Sequence, residues 1–332
     1  MSATHAPLKF LHPAWFSIVM GLAGLSLAWN HAAPTMGEAA LAAAGAIGWL
    51  AAAVFTLLLL ASVLRMQRHG QAFVEDFLHP VRHPFVAALP VALLLLATVQ
   101  VTLLGPGPWV RALWWLGSMS QFAATLWVLS RWLRGNQAGG LQWAGVTPAL
   151  LIPIVGNVLA PLAGVPLGHG EWALAQFGVG LMFWPVVLAL VLTRVAVAGL
   201  WPERMRPAVF IFIAPPAVVG LALLQLDAAP AWVWATWGMA LFCLLWAATQ
   251  LRLILQQPFG VPHWGLSFPI AAFTALTLRL AEPGSAMAFA GLALLALASL
   301  VVAGLGLATL RGLRQGNLLA PETVAVLQPV SA

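Results

Sequence analysis

The sequence predicts an all-α integral membrane protein of ten transmembrane helices, joined as five helical hairpins. Three observations predict it. Of 332 residues, 62% are hydrophobic and 7% charged, against roughly 25% charged in soluble domains. So few charges cannot make a water-facing surface, and lipid is the solvent for most of this one; the mean hydropathy of +0.96 agrees. The apolar runs between turn signals are long enough to cross about 30 Å of hydrocarbon. Prolines recur at one place in alternate runs.

The runs cover roughly 13–30, 38–64, 84–104, 108–133, 147–167, 171–197, 207–226, 230–254, 263–281 and 285–310. Odd runs are near the minimum length, and even runs are longer, which predicts tilt. Connections such as Gly105-Pro106-Gly107 and Glu282-Pro283-Gly284 are short enough to make antiparallel neighbours. The first run follows Lys9 and ends near Ala32-Ala33, as a cleaved leader would. Its glycine spacing and its place in the repeat read instead as a retained helix. One pore domain spans 1–316, and 317–332 is a short cytoplasmic tail.

Charge sets the orientation. Threading ten spans places Lys9, Arg65, Arg68, Arg82, Arg131, Arg134, Arg194, Arg204, Arg206, Arg252, Arg311 and Arg314 on the side of the N-terminus. Only Arg111 and Arg279 fall opposite. The positive-inside rule then predicts cytoplasmic termini, and an odd number of spans would scramble the bias. Acidic residues divide evenly: Glu75, Asp76, Glu203 and Glu322 inside, Glu38, Glu171, Asp227 and Glu282 outside. The net charge of +6 does not indicate nucleic acid, because the basic residues lie singly in short loops. Trp29, Trp109, Trp132, Trp172, Trp201 and Trp264 stand near span ends, as in an interfacial belt; Trp184 and Trp237 read as mid-span packing residues. The single cysteine, Cys243, excludes a disulfide within the chain and reads as a buried, inert thiol.

The internal prolines Pro90, Pro153, Pro215 and Pro269 fall 63, 62 and 54 residues apart. Among even runs only Pro185 lies deep. The repeating unit is therefore a hairpin with a bent first helix and a straighter second one. The first helices also carry small residues on one face: Ser17, Gly21 and Gly24; Gly156, Ala160 and Gly164; Ala271 and Ala275. One reading is close helix packing. The other is a pore wall, with odd helices inside and even helices outside.

Several function classes are disfavoured. His5, His12, His31, His69, His79, His83, His169 and His263 lie at span ends or in loops, whereas axial haem ligands would sit within spans. No Asp, Glu, Lys or Arg stands near a span middle, as proton pumps and ion-coupled carriers require. No phosphate-binding glycine loop, nucleophile triad or metal-ligand spacing is present. An enzyme, a cofactor and a metal site are not expected. The polar residues within spans are uncharged: Thr98 and Thr102 on one face, then Asn157, Ser267 and Thr274. They read either as interhelical hydrogen bonds or as a pore lining that passes an ion without trapping it. A mid-helix proline frees a carbonyl, which suits cations. The lack of acidic groups and the basic inner rim permit anions. Arg279 is either an electrostatic rim group outside or a side chain snorkelling to headgroups.

Phe16 to Trp29 (FSIVMGLAGLSLAW), His79 to Pro90 (HPVRHPFVAALP), Arg206 to Ala217 (RPAVFIFIAPPA) and His263 to Phe273 (HWGLSFPIAAF) resemble, in order, stretches of one family. It is the bacterial tellurite-resistance TehA, plant slow-anion-channel and C4-dicarboxylate transporter family. The resemblance implies a homotrimer in a bacterial inner membrane, with a pore in each protomer lined by the odd spans. On it, Ser17, Gly21, Thr98, Thr102, Pro153, Asn157, Pro215, Ser267 and Pro269 are pore-lining candidates. Phe268 matches the family's phenylalanine plug. The resemblance implies gated conduction of small anions, or alternatively carrier-type export of tellurite, organic ions or C4-dicarboxylates.

Overall fold

A computed structural model describes residues 7–320 apart from 136 and 138. Residues 321–332 of the expected tail, with Glu322, lie outside the described residues, as does His5. The described residues are helical, with no β-strand among them. In chain order the α-helices are α1 (Ser17–His31), α2 (Ala33–Met36), α3 (Glu38–Arg68), α4 (Gly70–Leu78), α5 (Ala88–Leu104), α6 (Pro108–Ser130) and α7 (Leu151–Val158). Then come α8 (Ala160–Gly164), α9 (Gly170–Ala198), α10 (Ala214–Gln225), α11 (Pro230–Ala248), α12 (Leu251–Leu255), α13 (Ser267–Leu280) and α14 (Ala286–Arg314).

The proline-bearing segments share one construction. Each begins as a 3-10 stretch and continues as an α-helix. Pro13–Phe16 precedes α1, His83–Ala87 precedes α5, Pro148–Leu150 precedes α7, Glu203–Ile213 precedes α10, and Val261–Leu266 precedes α13. Pro90, Pro153 and Pro269 are each the third residue of the α-part, and Pro215-Pro216 are the second and third of α10. An N–H in the first turn has no acceptor within its own helix, so proline there removes no bond. What the sequence reads as a proline bend is thus a change of helix type, with the prolines opening the α-part.

Six helical segments have the length and composition to cross a membrane: Glu38–Arg68, His83–Leu104, Gly170–Ala198, Glu203–Gln225, Pro230–Ala248 and Ala286–Arg314. The other expected spans are shorter or more polar. The α-parts α1 and α13 have 15 and 14 residues. The fifth run is divided at Leu159 into α7 and α8. The fourth, α6, has 23 residues but carries Arg111, Ser118, Ser120 and Gln121.

Contacts define two layers. Helices α1, α5, α7, α10 and α13 touch in a closed circuit, each meeting the next and α13 returning to α1. Each also packs against the long helix that follows it: α1 on α3, α5 on α6, α7 on α9, α10 on α11, and α13 on α14. The most apolar windows of His83–Leu104 and Glu203–Gln225 are 72% and 89% buried, against 17–28% for the four long outer segments. The outer helices present large bare side chains, among them Leu57, Met182, Phe242 and Leu300 at 65–72% exposure. An apolar face of this extent belongs in lipid, and the protein is a multi-pass membrane protein. Cys243, expected buried, is half-buried on an outer helix. Two tryptophans assigned to the interface lie in the core: Trp201 and Trp264 are each 3% exposed. Trp264 donates through Nε1 to Thr309 Oγ1 at 2.9 Å.

Three basic residues expected in loops are buried instead. Arg65 donates to the Lys9 and Ala72 carbonyls, both at 3.0 Å, and pairs with Asp76 at 2.7 Å. Arg131 donates to the carbonyls of Phe77 (2.6 Å) and Leu78 (3.3 Å). Arg194 donates to the Trp143 carbonyl at 3.2 Å and to that of Gly199. These guanidinium groups thereby tie helix ends and connections together through backbone carbonyls. Helix α4 is held between Arg65 and Arg131, and its Asp76, 1% exposed, also takes Arg82 at 3.0 Å. Removing one partner of a buried pair strands the other charge. Asp76→Ala is therefore expected to cost about 3 kcal/mol, read as a lowered thermal midpoint in detergent. Arg68→Ala, at an exposed position of α3, should leave the midpoint unchanged.

Candidate functional site

A cavity of about 60 Å³ lies where the five inner segments meet. It has room for a few water-sized molecules. Each inner helix gives it one stripe. Helix α1 contributes Gly24, Leu27 and His31; α5 contributes Leu95, Thr98 and Thr102; α10 contributes Val218, Leu221 and Gln225. Helix α13 contributes Phe268, Ala272, Ala275 and Arg279, and the fifth segment contributes Leu159 and Leu162. Intervals of three and four residues keep each stripe on one helical face. Phe268 stands at the start of its stripe and Arg279 at the end, separated by about 16 Å of helix. The four longer stripes each finish on a polar residue: His31, Thr102, Gln225 and Arg279.

At the start of the α13 stripe a ring stands against a glycine. Phe268 is 5% exposed. A Cβ added at Gly24 would come within 3.0 Å of Phe268 Cδ2 and 3.2 Å of Ala271 Cβ. Glycine there lets α1 approach the ring face. The walls beyond are aliphatic, apart from two threonines. Thr98 Oγ1 donates to the Leu94 carbonyl at 2.9 Å and Thr102 Oγ1 to the Thr98 carbonyl at 2.8 Å. Both hydroxyl hydrogens are thus held by their own helix.

Of the residues singled out from the sequence, the cavity brings together Gly24, Thr98, Thr102, Phe268, Ala275 and Arg279. The others stand elsewhere. Gly21 faces Ser267, and a Cβ there would lie 2.2 Å from Ser267 Oγ. Ser17 and Ser267 each donate to the carbonyl three residues back, Ala14 and Trp264, at 2.5 and 2.6 Å. Pro215 and Pro269 are buried in the first turns of α10 and α13. Asn157 Nδ2 donates to Thr125 Oγ1 and to the Pro153 carbonyl, both at 2.7 Å. Gln121 Nε2 and Thr125 Oγ1 reach the same carbonyl at 2.8 and 2.9 Å. Gly156 clears the Gln121 amide, which a Cβ would meet at 2.2 Å. Asn157 and Pro153 therefore join α7 to α6 through a buried polar cluster. The small-residue face serves close packing at Gly21 and Gly156, while Gly24 serves both packing and the cavity.

Two polar cavity residues were not singled out from the sequence as candidates, His31 and Gln225. Their signal was position: each stands seven residues after a small or β-branched residue of its helix, at the level of Arg279 and Thr102. Among the described residues, no group of three or more His, Cys, Asp or Glu side chains could hold a metal ion.

Comparison with known proteins adds the following. A family model described as a voltage-dependent anion channel, SLAC1, matches residues 10–310. The tellurite resistance protein TehA homolog of Haemophilus influenzae is 26% identical over 267 residues, covering 79% of each chain. The S-type anion channel SLAH2 of Arabidopsis thaliana is 24% identical over 94% of this chain and 61% of its own length. The guard cell S-type anion channel SLAC1 of the same plant is 24% identical over 80% of this chain and 49% of its own length.

The Gly21–Ser267 contact yields a reciprocal test. Gly21→Ala drives a methyl group into Ser267 and should destabilise the protein by about 1–3 kcal/mol. Ser267→Gly in the same chain vacates that space and should restore most of the thermal midpoint, a coupling that a double-mutant cycle measures.

Proposed function

The chain belongs to the SLAC1 family of voltage-dependent anion channels, and from that premise we propose that it passes small anions through its own central conduit, gated by Phe268. Ten spans pair as five hairpins in this reading, with α1, α5, α7–α8, α10 and α13 around the conduit and their partners facing lipid. The observation that carries it is the convergence of five inner segments on one cavity that Phe268 also lines. A nearly buried phenyl ring across an aliphatic passage excludes a hydrated ion. Rotation of the ring away from Gly24 would open it. The passage has no charged group between Phe268 and Arg279 along α13, which favours fast release over tight capture.

The chain lies in the bacterial inner membrane with both ends cytoplasmic, as the arginine bias favours. It assembles as a homotrimer, each protomer with its own conduit. The name of the Haemophilus relative, a tellurite resistance protein, keeps a second reading in view: carrier-type export of tellurite, organic ions or dicarboxylates. A carrier saturates and exchanges; a channel gives unitary current steps.

The test is electrical. Phe268→Ala in planar bilayers should raise chloride or nitrate conductance about tenfold or more over wild type, as expected when an apolar constriction is removed. Unchanged conductance in folded Phe268→Ala would overturn the gate, and saturable counterflow without current steps would favour the carrier.

A further inference from the structure

We infer that the mouth of the cavity is a binding site for a small monovalent inorganic anion, made by the Arg279 guanidinium, the Gln225 amide and the His31 imidazole. The inference rests on the conduit reading and names where along it an anion is held. The cavity's aliphatic walls offer no donors. Thr98 and Thr102 direct their hydroxyl hydrogens to the Leu94 and Thr98 carbonyls. The donors facing the cavity are therefore Arg279, Gln225 and His31, from three different helices.

These donors lack protein acceptors. No hydrogen bond or ion pair joins any of the three to another described residue. Asp227 and Glu282 follow α10 and α13 and are exposed. Neither lines the cavity, and neither pairs with Arg279. This contrasts with Arg65, Arg131 and Arg194, whose guanidinium groups are all bound to carbonyls. A guanidinium with five donors beside an amide and an imidazole, with no carboxylate among the lining groups, is suited to an anion.

The surrounding field makes Arg279 decisive. Helices α1, α5, α10 and α13 end at His31, Leu104, Gln225 and Leu280, so four C-termini converge on the mouth. Each carries up to about half a negative charge. These ends repel an anion and attract a cation. Arg279 is the one side chain of fixed positive charge in the lining, and it offsets them. A dicarboxylate would bring a second negative charge to one arginine and four helix C-termini, so the site favours a halide or nitrate.

Chloride NMR line width on purified protein in uncharged detergent tests this without requiring conduction. Wild type should broaden the signal saturably, and nitrate should reverse the broadening while succinate does not. Arg279→Gln should weaken chloride binding about tenfold, Gln225→Leu should weaken it less, and Arg279→Lys should retain most of it. Arg68→Ala, at an exposed position of α3 outside the cavity, should bind as wild type does. Equal broadening by Arg279→Gln and wild type would overturn the site, as would equal competition by succinate. A Phe268→Ala protein that binds chloride at the mouth and yet fails to conduct would sink the gate reading alone.

Discussion

In hydrocarbon, every backbone N–H and C=O must find its partner within the protein. That constraint governs this fold, because the five innermost segments are also rich in proline. The conflict is resolved by place. Pro90, Pro153, Pro215, Pro216 and Pro269 occupy the first turns of their α-helices, where a missing N–H leaves no acceptor empty. A 3-10 stretch leads into each. Beyond the prolines, α1, α5, α10 and α13 run on as regular helices, and each can hold one stripe of side chains against a common axis. The short α7 and α8 reach the axis only through Leu159 and Leu162.

Close approach follows from side-chain size. Gly21 admits Ser267, Gly24 admits the Phe268 ring, Gly156 admits the Gln121 amide, and Gly220 and Gly291 admit Leu276 and Leu278. Helices in lipid gain little from burying apolar surface against one another, so contact area must come from fit. The same fit sets α1 against the Phe268 ring at Gly24. Polar side chains that could have made a wet passage are turned outward to other helices. Asn157, Gln121 and Thr125 converge on the Pro153 carbonyl, and Ser118 bonds the Gln176 amide at 2.6 Å. The axis keeps aliphatic walls, and charge is left to its mouth.

Arginines divide into two groups by what they bind. Arg65, Arg131 and Arg194 hold loop carbonyls and, at Asp76, a buried carboxylate, so they fasten connections between hairpins. Arg279 has no hydrogen bond or ion pair with another described residue and lines the cavity. The distinction is invisible in composition, where all four are single basic residues near span ends. It bears on the proposed function, because charges bound to carbonyls contribute less to an anion-attracting rim than a count of arginines implies.

Much was legible in the sequence because it depends on local pattern. Scarce charge placed the chain in lipid, and the proline spacing marked five related segments. Four stretches in order, the last of them around Phe268, carried the family resemblance that the match over residues 10–310 bears out. Helical intervals put Thr98 and Thr102 on one face, but they could not say which neighbour that face meets. That depends on the rotation of each helix about its axis, which is set by contacts between residues far apart in sequence. So Gly21 turned to Ser267, Asn157 to Thr125, and Trp264 to Thr309, while His31 and Gln225, unremarkable in the chain, came level with Arg279. The sequence by itself determined which segments are helical, where prolines are tolerated and that lipid surrounds them, since hydrogen bonding and transfer to hydrocarbon act residue by residue. Only the tertiary structure decided which stripe of each helix faces the axis, because that choice is made by packing five helices together at once.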